Sequence, residues 1–150
     1  VRESANESYL LYNNEYYPIK WKRVVLPFNH GGLRFTKGYK KQYNKRKIDL
    51  GVTHWDVCLN AKSCFNVLNR RGLSIHFTID NDGTIRQHLD MNHIALHAGA
   101  TRWNNRSVGV EISNAYYEKY QPWYKKNVGE ERPLVTDAEV HGKKMKPFTD

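Results

Sequence analysis

Alternating apolar and polar residues predict a β-strand at LSIHFTI, residues 73–79. One face of this strand is apolar, with Leu73, Ile75, Phe77 and Ile79, and the other is polar, with Ser74, His76 and Thr78. The sequence DNDG that follows is a turn signal, and TIRQHL, residues 84–89, returns as a second short strand. Together these segments predict a β-hairpin.

Two further strands are predicted, and each carries a polar residue in an unusual place. IDLGVTHWD, residues 48–56, alternates and places His54 near its carboxyl end. SVGVEI, residues 107–112, is mostly apolar but carries Glu111 on the same face as Gly109. Because glycine has no side chain, we expect open space beside this carboxylate.

A helix is predicted at NAKSCFNVLNRRG, residues 60–72, because its apolar residues recur at helical spacing. The apolar stripe consists of Ala61, Cys64, Val67 and Leu68. Asn60 or Ser63 would cap the start of the helix, and Gly72 lies where a terminating glycine belongs. The spacing of the two cysteines, Cys58 and Cys64, matches neither a CxxC motif nor a zinc finger, so we interpret both as buried thiols.

The order of these elements predicts an α/β (α+β) fold, in which helices flank a mixed central β-sheet. Residues 1–20 are weakly patterned, and WKRVVLPF contributes a short strand. Residues 115–150 are aromatic, basic and interrupted by proline, so we predict an extended insertion or hairpin without a helix. The 150 residues are enough for one domain.

Composition narrows the class of partner but does not choose it. The formal net charge is +9, which favours an anionic partner such as nucleic acid, anionic lipid or an acidic cell-wall polymer. The basic and aromatic stretch at residues 35–47 suits either an anion-binding groove or a solvated loop. No apolar run is long enough for a membrane helix, and no signal peptide is visible.

The candidate metal ligands and proton-transfer groups are histidines and one carboxylate. None of the seven histidines forms an HExxH motif or a pair at clean zinc spacing. A carboxylate such as Glu111 in an apolar strand has a raised pKa unless it is paired, and a carboxylate in a metal cleft can take a proton from water. The alternative is an ion pair of Glu111 with Arg102 or Arg106.

Four motifs in order resemble the zinc-dependent N-acetylmuramoyl-L-alanine amidases, which include phage endolysins, bacterial wall amidases and peptidoglycan recognition proteins. These motifs are the strand that ends near His54, SIHFTIDNDG, HAG and NNRSVGVEI, and the resemblance covers roughly residues 48–114. It implies a single amidase-like domain over residues 1–150. It also implies cleavage of the amide between N-acetylmuramic acid and the L-alanine of the stem peptide, with Zn²⁺ as cofactor.

The resemblance also implies roles for individual residues. His54 would be the first zinc ligand, and Glu111 would be the general base. The family's alternative base, a tyrosine, falls at Ile75 here, which gives Glu111 more weight. Substrate-binding residues would come from the same motifs, namely His97, His76 and Asn105.

The remaining zinc ligands leave two alternatives. His141 and Asp150 have about the family's spacing, but no helix is predicted before them and Phe148 departs from the family pattern. We favour the second alternative, in which the ligands lie beyond Asp150 and a second polypeptide segment completes the domain.

We therefore expect a peptidoglycan hydrolase, phage-encoded or bacterial, that acts on the cell wall. The main alternative is a peptidoglycan-binding module of the same fold without catalysis. A third hypothesis, single-stranded nucleic-acid binding through KGYKKQYNKRK, lacks any RRM, KH or zinc-finger signature, so no nucleic acid is expected.

Overall fold

The computed structural model describes residues 8–20, 24–27, 32–113, 117–129 and 131, together with the backbone of residues 138–140 and 143–145. The strands are β1 (Ser8–Tyr12), β2 (Glu15–Ile19), β3 (Val24–Val25), β4 (Tyr39–Lys40), β5 (Leu50–Trp55), β6 (Phe77–Ile79), β7 (Ile85–Gln87), β8 (Ile94–Ala95), β9 (Ser107–Ile112), β10 (Ala138–Val140) and β11 (Lys143–Met145). The α-helices are α1 (Ala61–Arg70), α2 (Thr101–Asn104) and α3 (Gln121–Val128), and a 3₁₀ turn spans Glu118–Tyr120.

The central sheet has five strands in the order β3-β7-β6-β9-β5. Strands β5 and β6 both run parallel to β9, whereas β6 and β7 form the antiparallel hairpin. The sheet is therefore mixed, and the predicted α+β fold is confirmed. Smaller two-stranded sheets pair β1 with β2, β4 with β8, and β10 with β11.

Strand β6 is shorter than the alternation predicted, because its first half bonds to loops. The Ser74 amide donates to the Leu96 carbonyl at 3.2 Å, and the His88 amide donates to the His76 carbonyl at 2.8 Å. Ladder pairing with β7 begins at Phe77, opposite Gln87. Both faces of this segment are buried, so its polar residues lie inside the protein rather than against solvent.

Helix α1 begins where the sequence predicted. The Asn60 side chain accepts from the Ser63 amide at 2.9 Å, and the Ser63 hydroxyl in return accepts from the Asn60 amide at 3.0 Å, which forms a capping box. The helix ends at Arg70, and Gly72 follows with a φ of +68°, a left-handed conformation that glycine adopts at little cost. Its buried residues include Phe65, which the predicted stripe omitted and which packs on Phe35 in the core.

The first described segment holds a hairpin that the sequence pattern did not reveal. Asn13 and Asn14 join β1 to β2 with φ values of +53° and +62°, as a two-residue turn with both residues left-handed. The Asp90 carboxylate accepts the amides of both asparagines at 2.8 Å, which ties the turn to the body of the protein.

The prediction of no helix after Ile112 was wrong, because α3 forms at Gln121–Val128. Pro122 lies in its first turn, where proline is tolerated, and Gly129 ends it with a φ of +87°. Tyr124 is fully buried, and its hydroxyl donates to the Leu59 carbonyl at 2.5 Å. One buried tyrosine therefore anchors a helix with little apolar periodicity. Within the described part of the chain, none of the helices has the length and apolar character needed to cross a membrane.

Candidate active site

His54 and Glu111 lie directly opposite each other on neighbouring parallel strands. They are register partners in the β5–β9 ladder. Because partners in adjacent strands are about 4.8 Å apart and point to the same side of a sheet, their side chains leave the sheet together. Both line one cavity of about 210 Å³ between the sheet and α1.

The Glu111 carboxylate is buried, and the two arginines that the sequence suggested as its partners make other contacts. The side chain is 8% exposed, and burial, followed by the charge of Asp56, raises its pKa to about 7. The alternative of an arginine pair is wrong, because Arg106 makes a bidentate pair with Asp49 at 2.6 and 2.8 Å. Arg102 lies over the Trp103 ring instead, 4.7 Å from its centroid. A carboxyl group with a pKa near neutrality is suited to proton transfer.

One carboxylate and two thiols that the sequence did not predict to lie together also line this cavity. Asp56, Cys58 and Cys64 each offer a ligand atom, and these atoms all lie within 4.8 Å of one another. Both cysteines are free thiols. In the sequence, these residues are related only by being close along the chain. Asp56 and Cys58 follow β5, and Cys64 lies in the first turn of α1.

His97 contacts His54 rather than the wall of this cavity. Its Nδ1 lies 2.9 Å from His54 Nε2, and its Nε2 lies 3.0 Å from the Ser107 hydroxyl. Burial, followed by the charges of His54 and Arg46, lowers the pKa of His97 to about 4. Burial also lowers the pKa of His54. Both imidazoles are therefore neutral at pH 7, the form in which histidine binds metals.

The loop that carries His97 is held by Asn104. Its Oδ1 accepts the amides of His97 at 3.2 Å and of Ala98 at 2.8 Å. Asn105, which we expected to bind substrate, is exposed at the end of α2, and its carbonyl accepts from Arg46 at 3.1 Å. Of the two neighbouring asparagines, Asn104 is the one that shapes the site.

His76 was also expected to bind substrate, but its burial and its hydrogen bonds indicate a structural role. The ring is fully buried. Its Nδ1 accepts the Gly109 amide at 3.0 Å, so its Nε2 carries the hydrogen and donates to the His93 carbonyl at 2.8 Å. Burial lowers its pKa to about 3. Because both ring nitrogens are occupied, His76 positions β9 beside it and presents no free nitrogen to the cavity.

The remaining histidines divide into two groups. His88 and His93 support loops, because His88 contacts Thr78 and the Leu33 carbonyl, and His93 accepts the Gln42 amide. His30 and His141 lie outside the described residues, as does Asp150. The expected ligand pair His141 and Asp150 therefore stays a prediction, as does completion of the domain by a second segment.

The groups around the cavity are imidazole, carboxylate and thiol, which is the donor set that zinc takes in proteins. They fit a zinc ion by donor chemistry and by convergence on one space. A polar cavity with these donors and a carboxylic acid of pKa about 7 is typical of a metal-dependent hydrolase.

Sequence comparison assigns the family. The model of the N-acetylmuramoyl-L-alanine amidase family matches residues 44–138, more than half of the chain, and the chain belongs to this family. The match includes β5, α1, β9 and α3, and with them the residues that line the cavity between the sheet and α1.

Individual proteins that resemble the chain share only a minority of its residues. The chain is 34% identical over 70 residues to a Rickettsia conorii protein provisionally named an N-acetylmuramoyl-L-alanine amidase, and the match covers 42% of this chain. It spans about a quarter, 26%, of the length of that relative. Among solved structures, a mutant endolysin from Bacillus subtilis is 27% identical with a TM-score of 0.40, over 60% of each chain. A mutant of Drosophila PGRP-LB in complex with tracheal cytotoxin is 20% identical with a TM-score of 0.41, over 70% of each chain.

Proposed function

We propose that this chain hydrolyses the amide bond between N-acetylmuramic acid and the L-alanine of the peptidoglycan stem peptide. The observation that carries the proposal is the pairing of His54 with Glu111 at one cavity. An imidazole and a carboxyl group that leave the same sheet face side by side can act on one water molecule. Membership of the amidase family selects the bond that is cleaved.

Glu111 is the general base in this proposal. Its raised pKa makes it a stronger base than an exposed carboxylate, while at neutral pH a substantial fraction is still ionised. It accepts a proton from the attacking water and delivers it to the leaving amine of L-alanine.

His54 is the proposed first ligand of Zn²⁺. When bound, zinc supplies a Lewis acid that polarises the scissile carbonyl and lowers the pKa of water. The contact of His97 with His54 fixes the orientation of the ligand ring, as neighbouring hydrogen-bonding groups do in metal sites. His97 is therefore a positioning residue in this account.

The proposed place of action is the cell wall, for a protein of phage or bacterial origin. A formal net charge of +9 favours encounter with anionic wall polymers. Exposed lysines of the segment 37–47, which include Lys40, Lys41 and Lys45, contribute to this charge.

Digestion of purified peptidoglycan tests the proposal. Amidase activity releases stem peptides with a new amino-terminal L-alanine, which amino-terminal labelling and mass spectrometry identify. We expect this product with zinc and its loss in the presence of a chelator. Retention of the protein on the wall without any new amino terminus would instead support a peptidoglycan-binding module. Cleavage at a different bond would contradict the assigned reaction.

A further inference from the structure

A cationic segment, residues 37–47, leads into β5 and carries five lysines and one arginine but no acidic residue. All five lysines are exposed, and the proposed hydrolysis uses none of them. They are Lys37, Lys40, Lys41, Lys45 and Lys47. The contacts of the segment show whether this charge is only solvated or is held in place for an anion.

The backbone of the cationic segment is fixed by buried side chains, although little of it is regular secondary structure. Asn92 is only 1% exposed. Its Oδ1 accepts the Arg46 amide at 3.0 Å, and its Nδ2 donates to the carbonyls of Gln42 and Asn44 at 3.4 and 3.2 Å. His93 Nδ1 accepts the Gln42 amide at 3.2 Å. The protein interior therefore sets the course of this segment.

Arg46, the only arginine of the segment, turns inward and holds it against the sheet. Its guanidinium donates to the Met91 carbonyl at 2.7 and 3.1 Å, to the Asn105 carbonyl at 3.1 Å and to the Ser107 carbonyl at 2.8 Å. The Tyr12 hydroxyl donates to the Arg46 carbonyl at 3.3 Å. Because the backbone is already ordered, a ligand that binds the lysines loses little affinity to ordering it.

The lysines of the segment, in contrast, are left without acidic partners. Lys47 lies 3.9 Å from Asp49, but that carboxylate already accepts two hydrogen bonds from Arg106. Within the part of the chain that the structure describes, the other four lysines make no ion pair with a carboxylate. Their charge is therefore available to an external anion.

The positive surface extends beyond the segment itself. Burial lowers the pKa of His93, and the charges of Lys41, Arg34 and Arg46 lower it further, against the opposing charge of Asp90. Three cations therefore lie around one imidazole, and the exposed Arg34 adds to the surface from the preceding loop. Like charges this close raise one another's energy, and a bound polyanion removes that cost.

We propose that the cationic segment binds a phosphate-bearing polymer of the bacterial cell wall and so retains the protein on its substrate. This inference rests on the proposed function, because the wall supplies the polymer. Lysine is a compact point charge that suits phosphate, whereas the paired nitrogens of arginine suit carboxylate. The exposed cations of the segment are all lysines, and its arginine is turned inward, which favours phosphate groups.

The segment meets the sheet at the end away from the cavity. Arg46 contacts Ser107 at the start of β9, and Glu111 lies four residues further along the same strand. Four residues of a strand span about 13 Å. A polymer on the segment therefore leaves the cavity open to a stem peptide.

Single-stranded nucleic acid is the competing partner. Proteins that bind single strands stack successive bases on several aromatic side chains. Of the two tyrosines in the segment, Tyr39 stacks on His93 with ring centroids 5.4 Å apart, and Tyr43 is 87% exposed. One open ring beside many lysines favours a polyanion without bases.

Sedimentation with purified cell walls tests the inference without reliance on hydrolysis. Walls are compared before and after hydrofluoric acid treatment, which removes their phosphate polymers and leaves the peptidoglycan. We expect the apparent dissociation constant of the parent to rise at least about tenfold on treated walls. Raising NaCl from about 50 to about 300 mM should weaken binding to untreated walls, because salt screens exposed charges.

Two double variants locate the binding surface. Lys41→Gln/Lys45→Gln should bind untreated walls at least about tenfold more weakly than the parent, because each lysine adds to attraction by an anionic surface. The matched control, Lys125→Gln/Lys126→Gln, removes the same charge from α3 and should bind as the parent does. Thermal unfolding checks that both variants keep the parent fold. Equal losses in the two variants would overturn the inference, because net charge alone would then explain binding.

The same walls separate this inference from the proposed function. Equal binding to treated and untreated walls, with stem peptide still released, would overturn the inference and leave the amidase proposal standing. Preference for untreated walls without any release of stem peptide would support binding by the segment and contradict the amidase proposal.

Competition distinguishes the wall polymer from nucleic acid. Soluble poly(glycerol phosphate) should displace the parent from walls at least as well as a single-stranded oligonucleotide at equal phosphate concentration. Tyr43→Ala should bind untreated walls as tightly as the parent. Stronger displacement by the oligonucleotide, together with weaker binding of Tyr43→Ala to it, would overturn the inference in favour of nucleic acid.

Discussion

The imidazole of His97 occupies the space that a side chain at Gly109 would need. A Cβ built at Gly109 would lie 2.7 Å from His97 Nδ1 and 2.5 Å from the Ile75 side chain. His97 in turn contacts His54, so the absence of a side chain in β9 determines where the site histidines lie. The expectation of open space beside Glu111 at this glycine was wrong, because His97 and Ile75 fill the space.

Gly109→Ala should therefore disturb the site through the position of His97. The added methyl group must displace the imidazole or Ile75, and overpacking of this kind costs about 1–3 kcal/mol of folding free energy. Denaturant unfolding and the rate of peptidoglycan hydrolysis measure the two effects, and we expect both to fall.

Gly51→Ala is the matched control for this substitution. Gly51 lies in the neighbouring strand β5, and a Cβ there would meet nothing within 4 Å. Since alanine is easier to order than glycine, this variant should be as stable as the parent or up to about 1 kcal/mol more stable. Equal losses in both variants would show that the contact with His97 is not the cause.

Glu111 should make the stability of the metal-free protein fall as pH rises. Its folded pKa of about 7 lies above its ordinary value of 4.5, so the folded state holds the proton more tightly than the unfolded state. The resulting stability is fully present below pH 4.5 and is lost as pH rises through about 7. The limit set by this shift is about 3 kcal/mol.

Glu111→Gln isolates this contribution from that of the buried histidines. His76 and His97 have lowered pKa values and act in the opposite direction, but they are the same in both proteins. The free energy of unfolding of the Gln variant, relative to the parent, should therefore increase between pH 4.5 and pH 7. A difference that stays constant over this range, measured by urea unfolding with chelator present, would contradict the assigned pKa.

Asn104→Ala should destabilise the loop that carries His97. It removes the acceptor of two backbone amides, and each amide left unsatisfied in a buried setting costs about 1–3 kcal/mol. Urea unfolding measures the loss, and hydrolysis should slow because His97 is no longer held. Asn105→Ala, at the exposed neighbouring position, is the control and should lie within about 0.5 kcal/mol of the parent. Slower hydrolysis by Asn105→Ala at unchanged stability would instead support its predicted role in substrate binding.

Strands β5, β6, β7 and β9 and helix α1 were predictable because their periodicity is local. The alternation around His54 and the capping residues Asn60 and Ser63 need only neighbouring residues, and β5 and α1 form as expected. Helix α3 was missed because it is held by the buried Tyr124, which bonds to Leu59 and Asn81, rather than by an apolar stripe. The β1–β2 hairpin was missed because its turn residues, Asn13 and Asn14, are a weaker signal than Asn-Gly.

The site was only partly predictable, because side-chain convergence depends on strand order. The family resemblance placed His54 and Glu111 at one zinc-bound water, but their direct pairing follows only from the parallel ladder of β5 with β9. The close approach of Asp56 to the two cysteines depends on the left-handed conformation of Val57, which no sequence motif predicts. The burial of His76 was not predictable, because the alternation of its strand does not show that both faces are covered.

The rate of peptidoglycan hydrolysis by Glu111→Gln tests the central claim most directly. The amide keeps the shape of the side chain but cannot accept the proton of water, so we predict a rate at least about 10²-fold below that of the parent, with equal zinc content and equal binding to the wall. A Gln variant that releases stem peptide within about twofold of the parent rate, well inside the loss that a general base accounts for, would contradict the account.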